Sequence, residues 1–452
     1  MNENKMGVQP VGRLLASMAI PMMISMLVQA FYNIVDSIFV ARISENALTA
    51  VSLAFPLQSL CISVGSGTAV GMNAILSRSL GEKKQDLVDR SANTGIFLFL
   101  CSYVLFALIG IFLVKPFFLV QTQVEEITRY GVSYTSICLI CSVGIFMQFC
   151  MERLLQSTGR THLAMITQII GAVINIILDP ILIFGLFGLP RMEVTGAAIA
   201  TVTGQILAAV VALILNLKHN PEVHLRAGMI RFDREIAGEI YRVGLPSIIM
   251  QSIGSVMTFC MNKILIAFTT TATAVFGAYF KLQSFVFMPI FGLNNAMVPI
   301  LAYNFGAAKP DRVKRTVRLS ITMAMCTMAV GTLSFELIPG VLLSLFDASE
   351  HMLAIGVPAL RIIGVTFVLA GFCIPAGSVC QAIGNPAYSL ITSACRQLVV
   401  LLPAAWLLAQ TGRLELVWFS FPIAELMSLT LCTIFLRRTM RAAEARIGGL
   451  GA

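Results

Sequence analysis

Long apolar runs alternate along this chain with short polar breaks. In hydrocarbon, backbone polar groups must be satisfied within their own segment, so each run predicts a helix. About 20 residues are enough to cross a bilayer. Twelve crossings are predicted, over 14–40, 50–77, 92–115, 130–154, 162–187, 194–217, 240–268, 274–303, 316–346, 352–382, 387–409 and 414–436. Several contain proline, among them Pro21, Pro180, Pro246 and Pro403. Bundled membrane helices tolerate this where neighbours re-satisfy the freed carbonyls. The first run is too long for a signal peptide and has no clear small-residue cleavage site, so it is expected to be a retained helix.

The polar breaks carry a topology signal. Lys and Arg gather at the amino terminus, after every second span and in the tail, for example Arg78, Lys83, Lys84 and Arg90 after span 2. The split is about 22 basic residues on that side against five on the other. Basic loops stay cytoplasmic, which predicts a multi-pass protein of the cell membrane with both termini inside.

Composition agrees with lipid as the solvent. The chain is 57% hydrophobic and 12% charged, against roughly 45–50% and about 25% in soluble domains. The net charge of +9 is explained by topology, so no nucleic-acid partner is expected. Cys138 and Cys141 form a CxxC inside an apolar run and read as packing residues. His162, His219, His224 and His351 fall in or near loops. No zinc spacing, nucleophile elbow or phosphate loop is present, which points away from an enzyme and from a bound cofactor.

The chain repeats itself at a shift of 225 residues. Pro21 meets Pro246, Leu57-Gln58-Ser59 meets Leu282-Gln283-Ser284, and Gly67 meets Gly292. Gly81, Lys84, Asp86 and Arg90 meet Gly306, Lys309, Asp311 and Arg315; Gln156 and Gly159 meet Gln381 and Gly384. Apolar composition alone would not hold Gln, Lys and Asp in register. Each half has an even number of spans, so the halves share one orientation. The predicted fold is all-α integral membrane, with twelve helices in two pseudo-symmetric six-helix lobes. The lobes are residues 1–217 and 239–452, joined by a cytoplasmic linker at 218–238. Parallel repeats of this kind predict alternating access to a midplane cavity.

An ionisable group at the centre of a membrane helix costs about 2.5–3.5 kcal/mol on insertion scales, so each one needs a reason. Asp36 in span 1 and Asp179 in span 5 are the clear cases in the first half. Asn175 shares a helix face with Asp179, and Pro180 leaves the carbonyl of Ile176 without its ladder donor. Spans 1 and 5 run in the same direction, so the two acids can meet. Such a set would hold a proton, a sodium ion or a water; otherwise each acid caps a neighbouring helix. The second half has Met261 and Ala404 at the matching positions. Its buried charges are Lys263, Lys281, Arg396 and Glu425, read either as structural ion pairs or as cavity lining. Glu152 and Arg153, near the cytoplasmic end of span 4, suggest gating or a local ion pair rather than ion transport. Met22, Met23 and Met26 beside Pro21 are either core filler or an adaptable apolar surface.

These residues resemble a known family. The features are Pro21 followed by Gln29, Tyr32 and Asp36; Gln156-Ser157-Thr158-Gly159; Asn175 with Asp179-Pro180; Gly196-Ala197-Ala198-Ile199-Ala200-Thr201; and Phe280-Lys281-Leu282-Gln283. Together, over essentially the whole chain, they look like multidrug and toxic compound extrusion (MATE) transporters of the MepA-type branch. The resemblance implies a monomer among membrane lipids that exports cationic amphipathic drugs in exchange for H⁺ or Na⁺. It assigns the cation site to Asp36, Asn175, Asp179 and Thr201, and the substrate cavity to Gln29, Tyr32 and Tyr134, with Met26, Lys281 and Gln283 added. Pro21 and Pro180 are the expected hinges. No metal beyond a sodium ion at Asp36, Asn175 and Asp179 is expected. The alternative is a lipid-linked precursor flippase of a related fold, with Lys263, Lys281 and Arg396 taking an anionic headgroup. Such flippases often carry extra helices, and none is predicted here.

Overall fold

A computed structural model of the protein describes residues 4–346 and 348–450. The described residues form helices and connecting turns, with no strand among them. Ten helices are long and apolar enough to cross a membrane, and two bent pairs raise the number to twelve if each pair is one span. The first half holds α1 (Val11–Ala41), α2 (Glu45–Gly81), α3 (Gln85–Phe112), α4 (Glu125–Ile140), α5 (Val143–Ser157), α6 (Thr161–Phe184) and α7 (Val194–His219). The second holds α8 (Arg234–Ile266), α9 (Thr270–Gly306), α10 (Pro310–Leu337), α11 (Glu350–Gly364), α12 (Phe367–Ile383), α13 (Pro386–Ala394), α14 (Leu402–Ala409) and α15 (Ser420–Leu450).

Two predicted spans are broken rather than continuous. α4 and α5 meet at 43°, and α11 and α12 at 48°. Neither break holds a proline. At both, the turn tightens to a bond three residues back. Ser142 N–H donates to Leu139 C=O at 3.2 Å, and Thr366 N–H to Ile363 C=O at 3.0 Å. The CxxC ends on the first bend, with both thiols free. Span 11 carries a widened π-turn, Cys395–Leu401, between α13 and α14. Pro403 lacks the N–H that Val399 C=O would accept in an α-helix, and the widened turn lies just before it.

The chain divides into two compact units. One is Ile24–Ile248; the other is Met1–Met23 with Ile249–Ala452. The division drawn from sequence cut the chain only at 218–238. Here the first turns of α1 belong with the later helices, and α8 up to Ile248 belongs with the earlier ones. The two extra cuts lie one repeat apart. Paired glycines explain this packing. A Cβ on Gly67 would lie 2.8 Å from the carbonyl oxygen of Gly244, and one on Gly292 would lie 2.6 Å from the carbonyl oxygen of Met22. Each glycine of the repeated pair therefore seats a helix start directly against backbone.

The linker is tied to the Ile24–Ile248 unit. Arg90 grips Asp233 through Nε at 3.0 Å and Nη2 at 2.6 Å. Gln85 donates to Glu222 C=O at 2.9 Å, Asn93 donates to His224 C=O at 3.0 Å, and Asp89 accepts from His224 N–H at 3.0 Å. The Arg90 guanidinium holds the Asp233 carboxyl below the ordinary carboxylate range. A lowered carboxyl value in the folded state stabilises the clasp at every pH above the unfolded value of about 3.9. That stabilisation is lost as the pH falls through the folded value. In the other unit, Arg312 Nη2 donates to the carbonyls of Met6 at 2.9 Å and Gln9 at 2.7 Å.

Candidate ion-coupling site

Five helices of the Ile24–Ile248 unit build the site. α1 supplies Tyr32 and Asp36, α6 supplies Asn175 and Asp179, and α7 supplies Thr201. α4 adds Tyr134 and Cys138, and α2 adds Gln58. α6 and α7 approach closely because a Cβ on Gly204 would lie 2.7 Å from the Gly171 carbonyl oxygen. That approach brings Asn175 to Thr201. One orientation of the Asn175 amide satisfies all its neighbours. Nδ2 then donates to Asp179 Oδ2 at 3.2 Å, and Oδ1 accepts from Thr201 N–H and from its hydroxyl, both at 3.1 Å.

Asp179 is fully buried and Asp36 half-buried. Their carboxyl groups neighbour one another, and the phenol of Tyr32 lies near both. Among the described residues, Oδ1 of Asp36 and Oδ1 of Asp179 have no hydrogen-bond partner. Buried acceptors normally do. Two adjacent carboxylates repel when both are ionised, and a proton or a monovalent cation removes that repulsion. The two carboxyls and the Tyr32 phenol offer oxygen, which suits a hard cation or a proton. Tyr134 is buried beside Cys138 and Asp36, and its hydroxyl accepts from Gln58 Nε2 at 3.2 Å.

Asp36, Asn175, Asp179, Thr201, Tyr32 and Tyr134 thus come together. On α1, Gln29 is exposed and Met26 half-buried. Lys281 and Gln283 lie on α9 in the other unit. Lys281 is exposed, with its ammonium 5.9 Å from the centre of the Phe346 ring. Pro21 falls in Met1–Met23, and Pro180 follows Asp179 inside α6. Gln58 was not singled out from sequence, although its repeat partner Gln283 was; the register itself was the available signal.

Of the other charges read in the second half, Lys263 is exposed, and Arg396 and Glu425 pair with each other. Arg396 Nη1 lies 3.3 Å from Glu425 Oε2, and Glu425 is buried. Lys263 sits 5.1 Å from the centre of the Phe259 ring. In repeat register Arg396 answers Gly171 and Glu425 answers Ala200. The equivalent helix pair that holds Asn175 and Thr201 in one unit therefore holds an ion pair in the other. Arg396→Leu is expected to cost about 3–5 kcal/mol by leaving Glu425 unpaired, whereas Arg396→Leu with Glu425→Leu should recover most of that loss. Thermal unfolding in detergent would read both.

An internal repeat of six membrane crossings per half is a transporter architecture. The MatE family model matches residues 21–181 and again 246–407. The chain belongs to this family, whose members are transporters and not enzymes. It is 27% identical to the multidrug export protein MepA of Staphylococcus saprophyticus over 426 residues, covering 92% of this chain and 90% of that one. It is 24% identical to an FAD transporter of Shewanella oneidensis over 439 residues, 96% of each. A solved outward-facing multidrug resistance MATE family transporter superposes with a TM-score of 0.92 at 25% identity, covering 98% of this chain and 99% of that one.

Proposed function

We propose that the protein exports cationic, amphipathic drugs by alternating access, in exchange for H⁺ or Na⁺, across the cell membrane with both termini in the cytoplasm. The observation that carries this reading is the pair of neighbouring carboxyls, Asp36 and Asp179, each with an unpartnered oxygen. A cation or proton arriving there relieves their repulsion and draws α1 toward α6. α1 carries Pro21, whose missing N–H weakens the helix ladder on the same element. The helix bends there when the ion binds and straightens when it leaves. A cationic drug and the coupling ion compete for the same negative charge, which is the physical basis of exchange. The MepA relative supports multidrug substrates, and the Lys and Arg asymmetry supports the orientation.

The test is purified protein in proteoliposomes with a cationic dye, under a pH gradient and a sodium gradient imposed separately. At least one gradient should drive the dye uphill, and an ionophore that collapses the gradient should stop it. Dye movement indifferent to both gradients would overturn the reading.

A further inference from the structure

The Ile24–Ile248 unit holds a second buried carboxylate that the coupling site does not use. Glu152 lies in α5, and three side chains converge on it. Gln148 donates to Oε1 at 2.9 Å, Thr167 to Oε1 at 3.1 Å, and Gln168 to Oε2 at 2.7 Å. The amide oxygen of Gln168 in turn accepts from the hydroxyl of Ser25 on α1. Glu152, Thr167 and Ser25 are all buried. The two amide N–H groups donate to the carboxyl, while the single hydrogen of the Thr167 hydroxyl is shared with the Ala164 carbonyl oxygen, 2.7 Å away.

The charged group that acts on Glu152 is Arg153, its chain neighbour, whose guanidinium turns to Gln156 Oε1 at 2.9 Å. On α6, His162 and Asp179 lie more than a turn along the helix from Thr167 and Gln168, and on α1 so do Tyr32 and Asp36 from Ser25. The other helices packed on α5 are α2, α3 and α7. Their charges lie toward helix ends: Glu45 and Arg78, Asp86, Asp89 and Arg90, and Lys218 and His219.

The two carboxylate sites are linked by register. Ser25 and Asp36 are eleven residues apart on α1, and so are Gln168 and Asp179 on α6. The two helices are joined at two levels about 16 Å apart along the axis. One level is ion-responsive; the other ends on Glu152.

We propose that Glu152 is a second coupling carboxylate, and that a turn of the Gln168 amide passes its protonation to α1. This rests on the ion-coupled reading above. When a proton from water adds to Oε2, the new O–H needs an acceptor. Gln168 Nε2 cannot accept, so the amide turns and presents Oε1. Its N–H then faces Ser25, whose hydroxyl changes from donor to acceptor. Glu152 gains one proton from hydronium, whose O–H bond breaks to leave water; within the protein only hydrogen bonds change, and the bond to α1 reverses direction. Ser25 stands one turn beyond Pro21, which leaves the carbonyl of Ser17 without its ladder bond. α1 yields most readily there.

The test uses the full-length protein in proteoliposomes, with dye transport followed while the pH on each face is varied separately. The wild-type rate should depend on pH at one face beyond the dependence set by Asp36 and Asp179. Glu152→Gln and Gln168→Leu should each flatten that added dependence, while Glu152→Asp retains it; a monodisperse elution profile marks a folded variant. Infrared difference spectra between acid and alkaline conditions give a readout free of transport. In an Asp36→Asn/Asp179→Asn background a protonated-carboxyl band should remain, and adding Glu152→Gln should remove it. A wild-type pH profile in Glu152→Gln, or a band unchanged by Glu152→Gln, would overturn the proposal. Wild-type transport that ignores every gradient strikes the antiport reading instead, and the infrared band still decides whether Glu152 titrates.

Discussion

Asp179→Asn is expected to abolish ion-coupled export while leaving the protein folded. The substitution keeps the shape of the side chain and its place one turn from Asn175. It removes the charge through which, on the proposed reading, the pair with Asp36 takes up a cation. One unit charge at about 4 Å, with an effective dielectric near 20, is worth about 4 kcal/mol. That corresponds to about a thousandfold in affinity for a monovalent ion. If the coupling ion is a proton, the amide has no titrating site at all. Asp36→Asn should behave alike, since either change dissolves the pair, and the double variant should be little worse than either single one. Ion-driven dye efflux and isothermal titration with sodium are the measurements. Wild-type coupling in either single variant would move the site elsewhere.

The second large effect is on folding. Gly292→Leu is expected to prevent the Met1–Met23 and Ile249–Ala452 unit from closing. Even a single Cβ there would stand 2.6 Å from the Met22 carbonyl oxygen and 2.6 Å from the Met23 amide nitrogen. Both are backbone atoms of α1, so no side-chain rotation relieves the clash. Gly292→Ala should cost about 1–3 kcal/mol, the usual range for overpacking, and the leucine more. Gly67→Ala should act alike in the other unit, where a Cβ would lie 2.8 Å from the Gly244 carbonyl oxygen. Melting curves in detergent separate these from a neutral glycine such as Gly277, where an added Cβ meets nothing within 4 Å.

The membrane class and the repeat were legible because hydropathy and register are properties of the sequence itself. Asp36 and Asp179 were legible because a charge in hydrocarbon is costly enough to need a purpose. The bends at Ser142 and Thr366 were not. Neither carries proline, and an apolar run has the same hydropathy bent or straight. An ion pair was one of two readings for Arg396 and Glu425, but the choice of partner stayed open, because Glu425 lies 29 residues away on another helix. Glu152 was read as a gate or an ion pair with Arg153; its actual bonds run to Gln148, Thr167 and Gln168, two of them supplied by α6. The division into units escaped the reading for a related reason. A crossing helix has the same apolar pattern whichever neighbours it packs against.

The exchanged helix starts bear on how such a chain arises. A single repeat of about this length, made as a free polypeptide, would carry the seat for a helix start at its own equivalent of Gly67. Its own helix start would be built for the seat on another copy. Two identical copies would complete each other by trading those segments, a swapped homodimer of the kind that closed two-fold symmetry favours. Joining the copies end to end through a linker turns that trade into an intramolecular one, at high effective concentration. The fused halves can then diverge in charge, one keeping paired acids and the other an ion pair, without giving up the shared seats.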